Sequence, residues 1–85
     1  MKEFQYVIQD DLGIHARPAG NLAKLAQSFR CDVKVACNGK TADAKRVIGL
    51  MTLGAKTQSA VTVICDGADE EKAAEELETF FKENL

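Results

Sequence analysis

Residues 33–40 read Val-Lys-Val-Ala-Cys-Asn-Gly-Lys, and this stretch decides the fold because it predicts a β-hairpin. Val33, Val35 and Cys37 take every second position, which is the period of a strand with one buried face. Asn38 and Gly39 follow at once, and Asn-Gly is the strongest short-range signal for a tight hairpin turn. The stretch therefore predicts a strand, a tight turn and a second, shorter strand.

Two other stretches, one before and one after this hairpin, show the same alternation. The alternating residues are Phe4, Tyr6 and Ile8 in the first stretch and Val61, Val63 and Cys65 in the second. Each stretch predicts one further strand with a buried face. The polar segment Gln9–Gly13 predicts a turn after the first of them.

Three stretches carry apolar residues at helical spacing. The first starts at Pro18, which suits the first turn of a helix, and its apolar positions are Ala19, Leu22, Ala23, Ala26 and Phe29. The second, Val47–Leu53, is short, and Gly54 fits a glycine C-cap. The third follows Asp69, a residue type that suits an N-cap.

The resulting order is strand, helix, strand, strand, helix, strand, helix. Helices on one face of a four-stranded, mainly antiparallel sheet would bury both sets of apolar faces, so the predicted class is α+β. The chain has 85 residues, 46% of them hydrophobic and 28% charged, with a net charge of −2. These values predict one globular domain over residues 1–85.

The composition excludes several classes of protein. The longest uncharged runs, Val47–Ala55 and Thr57–Cys65, have nine residues each, whereas a membrane span requires about 18. The first residues lack the apolar segment of a signal peptide, so we expect a cytoplasmic protein with no membrane insertion. Three cysteines without CxxC spacing predict reduced, mostly buried thiols and neither a disulfide framework nor a zinc site.

Charge is unevenly distributed along the chain. Residues 1–65 contain nine basic and five acidic side chains, whereas residues 66–85 contain two and eight. One interpretation is a solvated acidic helix at the end of the chain; the other is a basic remainder that faces an acidic partner or a phosphate. Nucleic acid is not expected as a partner, because basic and aromatic residues do not interleave and the net charge is negative.

The single histidine, His15, precedes the first predicted helix. A helix N-terminus presents unpaired N–H groups and so binds anions such as phosphate, and Arg17 adds a donor fork. An imidazole is often neutral at physiological pH, which leaves a ring nitrogen able to attack phosphorus. From the residues alone, His15 is either such a nucleophile or an ordinary surface residue. The Asp10-Asp11 pair is expected to be solvated in its polar turn.

Gly13–Ala19 reads Gly-Ile-His-Ala-Arg-Pro-Ala and resembles the active-site signature of the HPr family, the phosphocarriers of the sugar phosphotransferase system. The resemblance covers essentially the whole chain, including the segments Asn38–Lys40, Lys45–Leu53 and Gly67–Glu70. It implies an open-faced β-sandwich, in which three helices cover one face of a four-stranded antiparallel sheet.

The resemblance also implies a relay in place of enzymatic turnover. Enzyme I would transfer a phosphoryl group from phosphoenolpyruvate to Nδ1 of His15, and the carrier would pass it to sugar-specific enzyme IIA domains. The N–H groups of Ala16 and Arg17 would hold the phosphoryl oxygens, the Arg17 side chain would assist, and no cofactor or metal is implied. A monomer is expected, because one active face must meet two partners in turn.

The family binds its partners through the first helix and the short second helix. On this chain that surface would include Gly20, Lys24, Val47, Ile48, Met51 and Thr52. The alternative for Val47, Ile48 and Met51 is burial in the core. Two other functions stay open: a regulatory HPr paralogue that signals to a non-transport partner through its phosphorylation state, and an interaction module in which His15 is not phosphorylated.

One position departs from the family pattern. Arg46 stands where the family usually has a serine that opens the short helix and, in many Gram-positive members, accepts a regulatory phosphate. Arginine has no hydroxyl to accept it. The change also removes the expected N-cap, so we hypothesise that Asp43 caps a helix that begins one turn earlier.

Overall fold

The Asn-Gly pair forms the predicted hairpin turn in the computed structural model, which describes residues 1–85. Strand β2 (Cys31–Cys37) pairs antiparallel with β3 (Lys40–Asp43), and Cys37 lies opposite Lys40. Asn38 and Gly39 have φ angles of 54° and 78°. Positive φ at both central residues is the geometry of a type I′ turn, which matches the twist of the paired strands.

The other two strands complete a four-stranded sheet. Strand β4 (Ala60–Gly67) lies between β2 and β1 (Lys2–Val7), which gives the order β1-β4-β2-β3 with every pair antiparallel. Strand β2 begins two residues before Val33, and β4 extends two residues beyond Cys65. The alternation therefore identified the centres of β2 and β4 but not their ends, and Ile8, predicted in the first strand, lies just beyond the end of β1 at Val7.

Three helices cover one face of this sheet and confirm the α+β open-faced sandwich. They are α1 (Ala16–Gln27), α2 (Val47–Thr52) and α3 (Glu70–Asn84). The residues of β2 that face them, Val33 and Val35 among them, are buried, whereas Lys34 on the other face is exposed. Phe81 of α3 is fully buried in the core.

All three cysteines are free and buried, as the sequence predicted. Burial raises the pKa of the Cys65 thiol to about 11, with smaller contributions from Cys31 and Glu70, and burial also raises the pKa of Cys31. A thiol is nucleophilic only as the thiolate, so Cys31 and Cys65 are poor nucleophiles near neutral pH.

The cap predictions at the two later helices need correction. Asp69 is the N-cap residue of α3, as predicted, but its side chain does not bind that helix: Oδ2 accepts a 2.8 Å hydrogen bond from the backbone N–H of Arg30. The carboxylate of Asp69 thus links α3 to the start of β2.

In the first turn of α3, hydrogen bonds from the amino group of Met1 and from the N–H of Gly67 lower the pKa of Glu70.

The hypothesis that Asp43 caps an earlier start of α2 is wrong. The helix begins at Val47, and Arg46 before it is extended, with φ −121° and ψ 117°. The Asp43 carboxylate accepts a 3.0 Å hydrogen bond from the N–H of Lys45, in a turn that precedes the helix. Because the carboxylate already binds that turn, it does not reach the amides of α2, whose N-cap has no side-chain hydrogen bond.

No helix of the structure is both long enough and apolar enough to cross a membrane. No group of three or more His, Cys, Asp and Glu side chains could hold a metal ion.

Candidate functional site

His15 is the N-cap residue of α1, with extended backbone angles of φ −99° and ψ −179°. The helix starts at Ala16, two residues earlier than predicted, so that Pro18 is its third residue and still lies in the first turn. The first intrahelical hydrogen bond runs from the N–H of Ala19 to the carbonyl of His15 at 2.9 Å. The imidazole forms no capping hydrogen bond, so the start of α1 lacks a side-chain acceptor.

Two backbone N–H groups at this helix start have no acceptor in the protein. The first residues of any helix lack intrahelical acceptors, and here Ala16 and Arg17 receive none from elsewhere in the chain. Pro18 has no N–H to donate, and that of Ala19 is bonded to His15. Two adjacent amides beside the imidazole are therefore free to bind an anion.

Gly13 fixes the approach of the chain to His15. Its φ is +66°, and a Cβ atom at this position would lie 2.2 Å from the carbonyl oxygen of Ala55. That same oxygen accepts a 3.0 Å hydrogen bond from the N–H of Ile14, whose side chain is buried. The loop before His15 therefore lies directly against the segment that follows α2, which brings α2 close to the start of α1.

A shallow cavity of about 290 Å³ opens beside the imidazole. Its lining residues are Asp10, His15, Arg17, Pro18, Asn21 and Asn84. The Arg17 side chain is exposed and forms no ion pair or hydrogen bond within the chain, and the His15 side chain is 34% exposed. The fold thus brings together the predicted elements of an anion site: two amides, one guanidinium and one partly exposed imidazole.

Asp10 belongs to this site, contrary to the expectation that Asp10 and Asp11 are both solvated. Asp11 is exposed, but the Asp10 side chain is only 31% exposed, and its Oδ1 lies 3.7 Å from Nε2 of His15. Oδ1 also accepts a 2.8 Å hydrogen bond from the N–H of Leu12. Aspartate commonly binds the backbone two residues on, so the Asp-Asp-Leu-Gly sequence held a signal for this turn, but not for the contact with His15.

The apolar residues predicted to contact partners lie on the surface of α2. Ile48 is 79% exposed, Met51 47% and Val47 37%, whereas Leu50 and Leu53 are buried in the core. The alternative that the first three are core residues is therefore wrong. They form an exposed apolar cluster, which we call the α2 cluster.

The other residues of the predicted surface, on α1 and α2, are exposed or half-buried. Thr52 is exposed, and its hydroxyl donates to the carbonyl of Ile48 at 2.7 Å. On α1, Lys24 is exposed and Gly20 is half-buried, one turn apart on the helix that starts at the anion site. Arg46, beside the cluster, is also exposed. The α2 cluster is thus an exposed apolar patch, and the exposed Arg46 directly precedes it in the chain.

Comparison with known proteins identifies the family. The family model described as "PTS HPr component phosphorylation site" matches residues 2–83. The curated phosphocarrier protein HPr of Mycoplasma genitalium is 44% identical over 85 residues, which cover 99% of this chain and 97% of that protein.

Solved structures agree with this assignment. The histidine-containing phosphocarrier protein of a Mycoplasma has a TM-score of 0.94 at 30% identity, over 96% of this chain and 93% of that one. Crh of Bacillus subtilis, described as a catabolite repression protein that forms a swapped dimer, has a TM-score of 0.79 at 34% identity, over 100% of this chain and 98% of that one. The start of α1 beside His15 has no side-chain cap. By sequence and by fold, this chain belongs to the HPr family of phosphocarriers of the phosphotransferase system.

Proposed function

We propose that this chain, as one domain over residues 1–85, carries a phosphoryl group on Nδ1 of His15 between enzyme I and sugar-specific enzyme IIA domains. The observation that supports the proposal best is the pair of unbonded N–H groups, Ala16 and Arg17, beside an accessible imidazole. A phosphoryl group on the ring would supply the acceptors that these amides lack. The free guanidinium of Arg17 would take a further oxygen and offset its charge.

The site is suited to transfer and not to turnover of a small substrate. Its cavity is open to solvent and does not enclose a small molecule. The donors that would hold a phosphoryl group belong to this chain, so they stay in place whichever partner approaches. We propose that the chain acts in the cytoplasm as a monomer, so that one face meets its two partners in succession.

The reaction test is the intact mass of the protein after incubation with enzyme I and phosphoenolpyruvate. We expect a gain of one phosphoryl group that is lost in mild acid, because a phosphoimidazole hydrolyses readily when its ring is protonated. Addition of an enzyme IIA domain should move the group to that domain. No gain in mass with a demonstrably active enzyme I would contradict the proposal.

The second candidate function is a regulatory HPr paralogue that signals through its phosphorylation state to a non-transport partner. The similarity to the catabolite repression protein Crh is the observation that favours it. Such a paralogue would accept the phosphoryl group from enzyme I but would not donate it to any enzyme IIA domain. The donation step of the same mass measurement therefore separates the two functions. Arg46 has no hydroxyl, so a paralogue of this sequence lacks the serine-type phosphate acceptor at that position.

We propose that the α2 cluster docks the partners of the relay. Replacing Ile48 by glutamate should raise the KM of enzyme I for this chain by about tenfold, because a central apolar contact of an interface is commonly worth 1–2 kcal/mol. The melting temperature should not change, since the Ile48 side chain is largely exposed. Steady-state kinetics with the carrier as the varied substrate gives the KM.

Val7→Glu is the matched control for Ile48→Glu. Val7 is also an exposed apolar residue, but it lies on β1 and away from α2, with its side chain on the uncovered face of the sheet. The control adds the same charge and should leave the KM unchanged. Equal changes in both variants would mean that net charge, and not the α2 cluster, governs the encounter.

A further inference from the structure

Asp10 is held in place by its own backbone and side-chain hydrogen bonds. Its N–H donates to the main-chain oxygen of Leu85 at 2.8 Å, and its carbonyl accepts from the N–H of Gly13 at 3.0 Å. Its carboxylate accepts from the N–H of Leu12 at 2.8 Å. The carboxylate oxygen therefore occupies a defined position beside the cavity.

The same carboxylate oxygen faces one edge of the imidazole. Oδ1 of Asp10 lies 3.7 Å from Nε2 of His15, which is longer than a hydrogen bond but within reach of a small rotation of the ring. Among the side chains that line the cavity, Asp10 supplies the only carboxylate and Arg17 the only guanidinium. One edge of the ring thus faces a negative charge, and the imidazole nitrogens are not equivalent.

We propose that Asp10 is a positioning residue for His15, an inference that rests on the proposed carrier function. A carboxylate opposite Nε2 attracts an N–H and repels a lone pair, so it favours the tautomer with the proton on Nε2. The lone pair then lies on Nδ1, the nitrogen that accepts the phosphoryl group. Asp10 acts through His15 and does not contact the phosphoryl group in this role.

The carboxylate also stabilises the charge that develops during transfer. The Nδ1 lone pair forms a bond to phosphorus, while the bond from phosphorus to the leaving group of the donor breaks and its electron pair stays with that group. The Nε2 proton remains where it is, so the ring of His15 becomes cationic. That positive charge arises next to Asp10, whereas the phosphoryl oxygens lie at the amides of Ala16 and Arg17 on the helix side.

Tautomer populations test this inference without any partner protein. The ¹⁵N chemical shifts of the His15 ring, measured at about pH 9 where a free imidazole is uncharged, report the fraction protonated at Nε2. We expect this fraction to be lower in Asp10→Asn than in the wild-type protein. The amide oxygen of the variant can still accept from the N–H of Leu12, so the turn is preserved while the charge is removed.

Phosphorylation kinetics tests whether the tautomer matters for transfer. The Asp10 charge lies about 4 Å from the ring in an exposed setting, so Asp10→Asn should lower the maximal rate of phosphorylation by about fivefold, with little change in KM. Asp11→Asn is the control, because Asp11 is exposed, forms no hydrogen bond or ion pair, and loses the same charge. We expect the control to match the wild-type protein in rate and in tautomer fraction.

Two results would overturn the inference: an unchanged tautomer fraction in Asp10→Asn, or a rate that falls equally in both variants. These results differ from a failure of the carrier function itself. If the wild-type protein gained no phosphoryl group from an active enzyme I, the proposed function would fail, while the ring shifts would still show whether Asp10 selects the tautomer.

Discussion

Replacing His15 by alanine should abolish the transfer of a phosphoryl group to this protein while leaving its fold intact. The imidazole carries the only nucleophilic nitrogen at the helix start, and the two thiols whose pKa is raised by burial, Cys31 and Cys65, cannot replace it. The His15 side chain forms no capping hydrogen bond and is not part of the buried core. We therefore expect a change in the free energy of unfolding within about 0.5 kcal/mol.

Two measurements check this prediction on the same sample. Intact mass after incubation with enzyme I and phosphoenolpyruvate should show no gain for His15→Ala, and urea denaturation should show a midpoint close to that of the wild-type protein. Arg17→Lys is the companion variant: it keeps the nucleophile and the charge but loses the donor fork, so it should be phosphorylated more slowly and not blocked. Phosphorylation of His15→Ala would place the acceptor on another residue.

Gly13→Ala should both destabilise the protein and slow its phosphorylation. The added Cβ would meet the carbonyl oxygen of Ala55 at 2.2 Å, and the backbone would have to keep a φ of +66° that alanine disfavours. Left-handed backbone costs about 1–2 kcal/mol and a forced shift in a packed region about 1–3 kcal/mol, so we expect a loss of about 2–4 kcal/mol. The shift would also move Ile14 away from its hydrogen bond to Ala55 and displace His15 from the amides.

Gly39→Ala separates the two causes of this loss. Gly39 has a similar φ of +78° but no heavy atom within 4 Å of the added Cβ, so it carries the backbone strain without the steric clash. We expect a loss of about 1 kcal/mol and normal phosphorylation for this control. Equal losses of stability in both variants, measured by urea denaturation, would show that the contact with Ala55 does not hold the loop.

Local signals in the sequence were sufficient for the sheet and for its covered face. The Asn38-Gly39 turn and the alternation in β2 depend on residues that are neighbours along the chain, and the structure confirms both. Helix starts and caps were harder. Asp43 and Asp69 were expected to cap helices, but their carboxylates bind the backbone of a nearby turn and of a distant loop. A residue type that is preferred at helix caps supplies a hydrogen-bond acceptor, but the sequence does not reveal which backbone N–H that acceptor binds.

The candidate site likewise has one part that the sequence could predict and another that it could not. His15, Ala16 and Arg17 are consecutive, so the sequence could place them together at a helix start. The position of Asp10 depends on the fold of the intervening loop, and no period or motif in the sequence encodes its distance from Nε2. The exposure of Ile48 was also open, because a short helix with apolar residues on several sides can turn any of them toward the core.

Because the start of α1 has no side-chain cap, stability and function favour different residues at position 15. Serine, asparagine or aspartate there could accept the hydrogen bond of the Arg17 amide, and such caps commonly add about 1 kcal/mol to a helix. Histidine leaves that amide free. A search for thermostable variants would therefore favour substitutions whose side chains bind this amide, and these would remove the proposed phosphoryl acceptor, His15. The uncapped start of α1 should therefore be kept in any engineering of this protein.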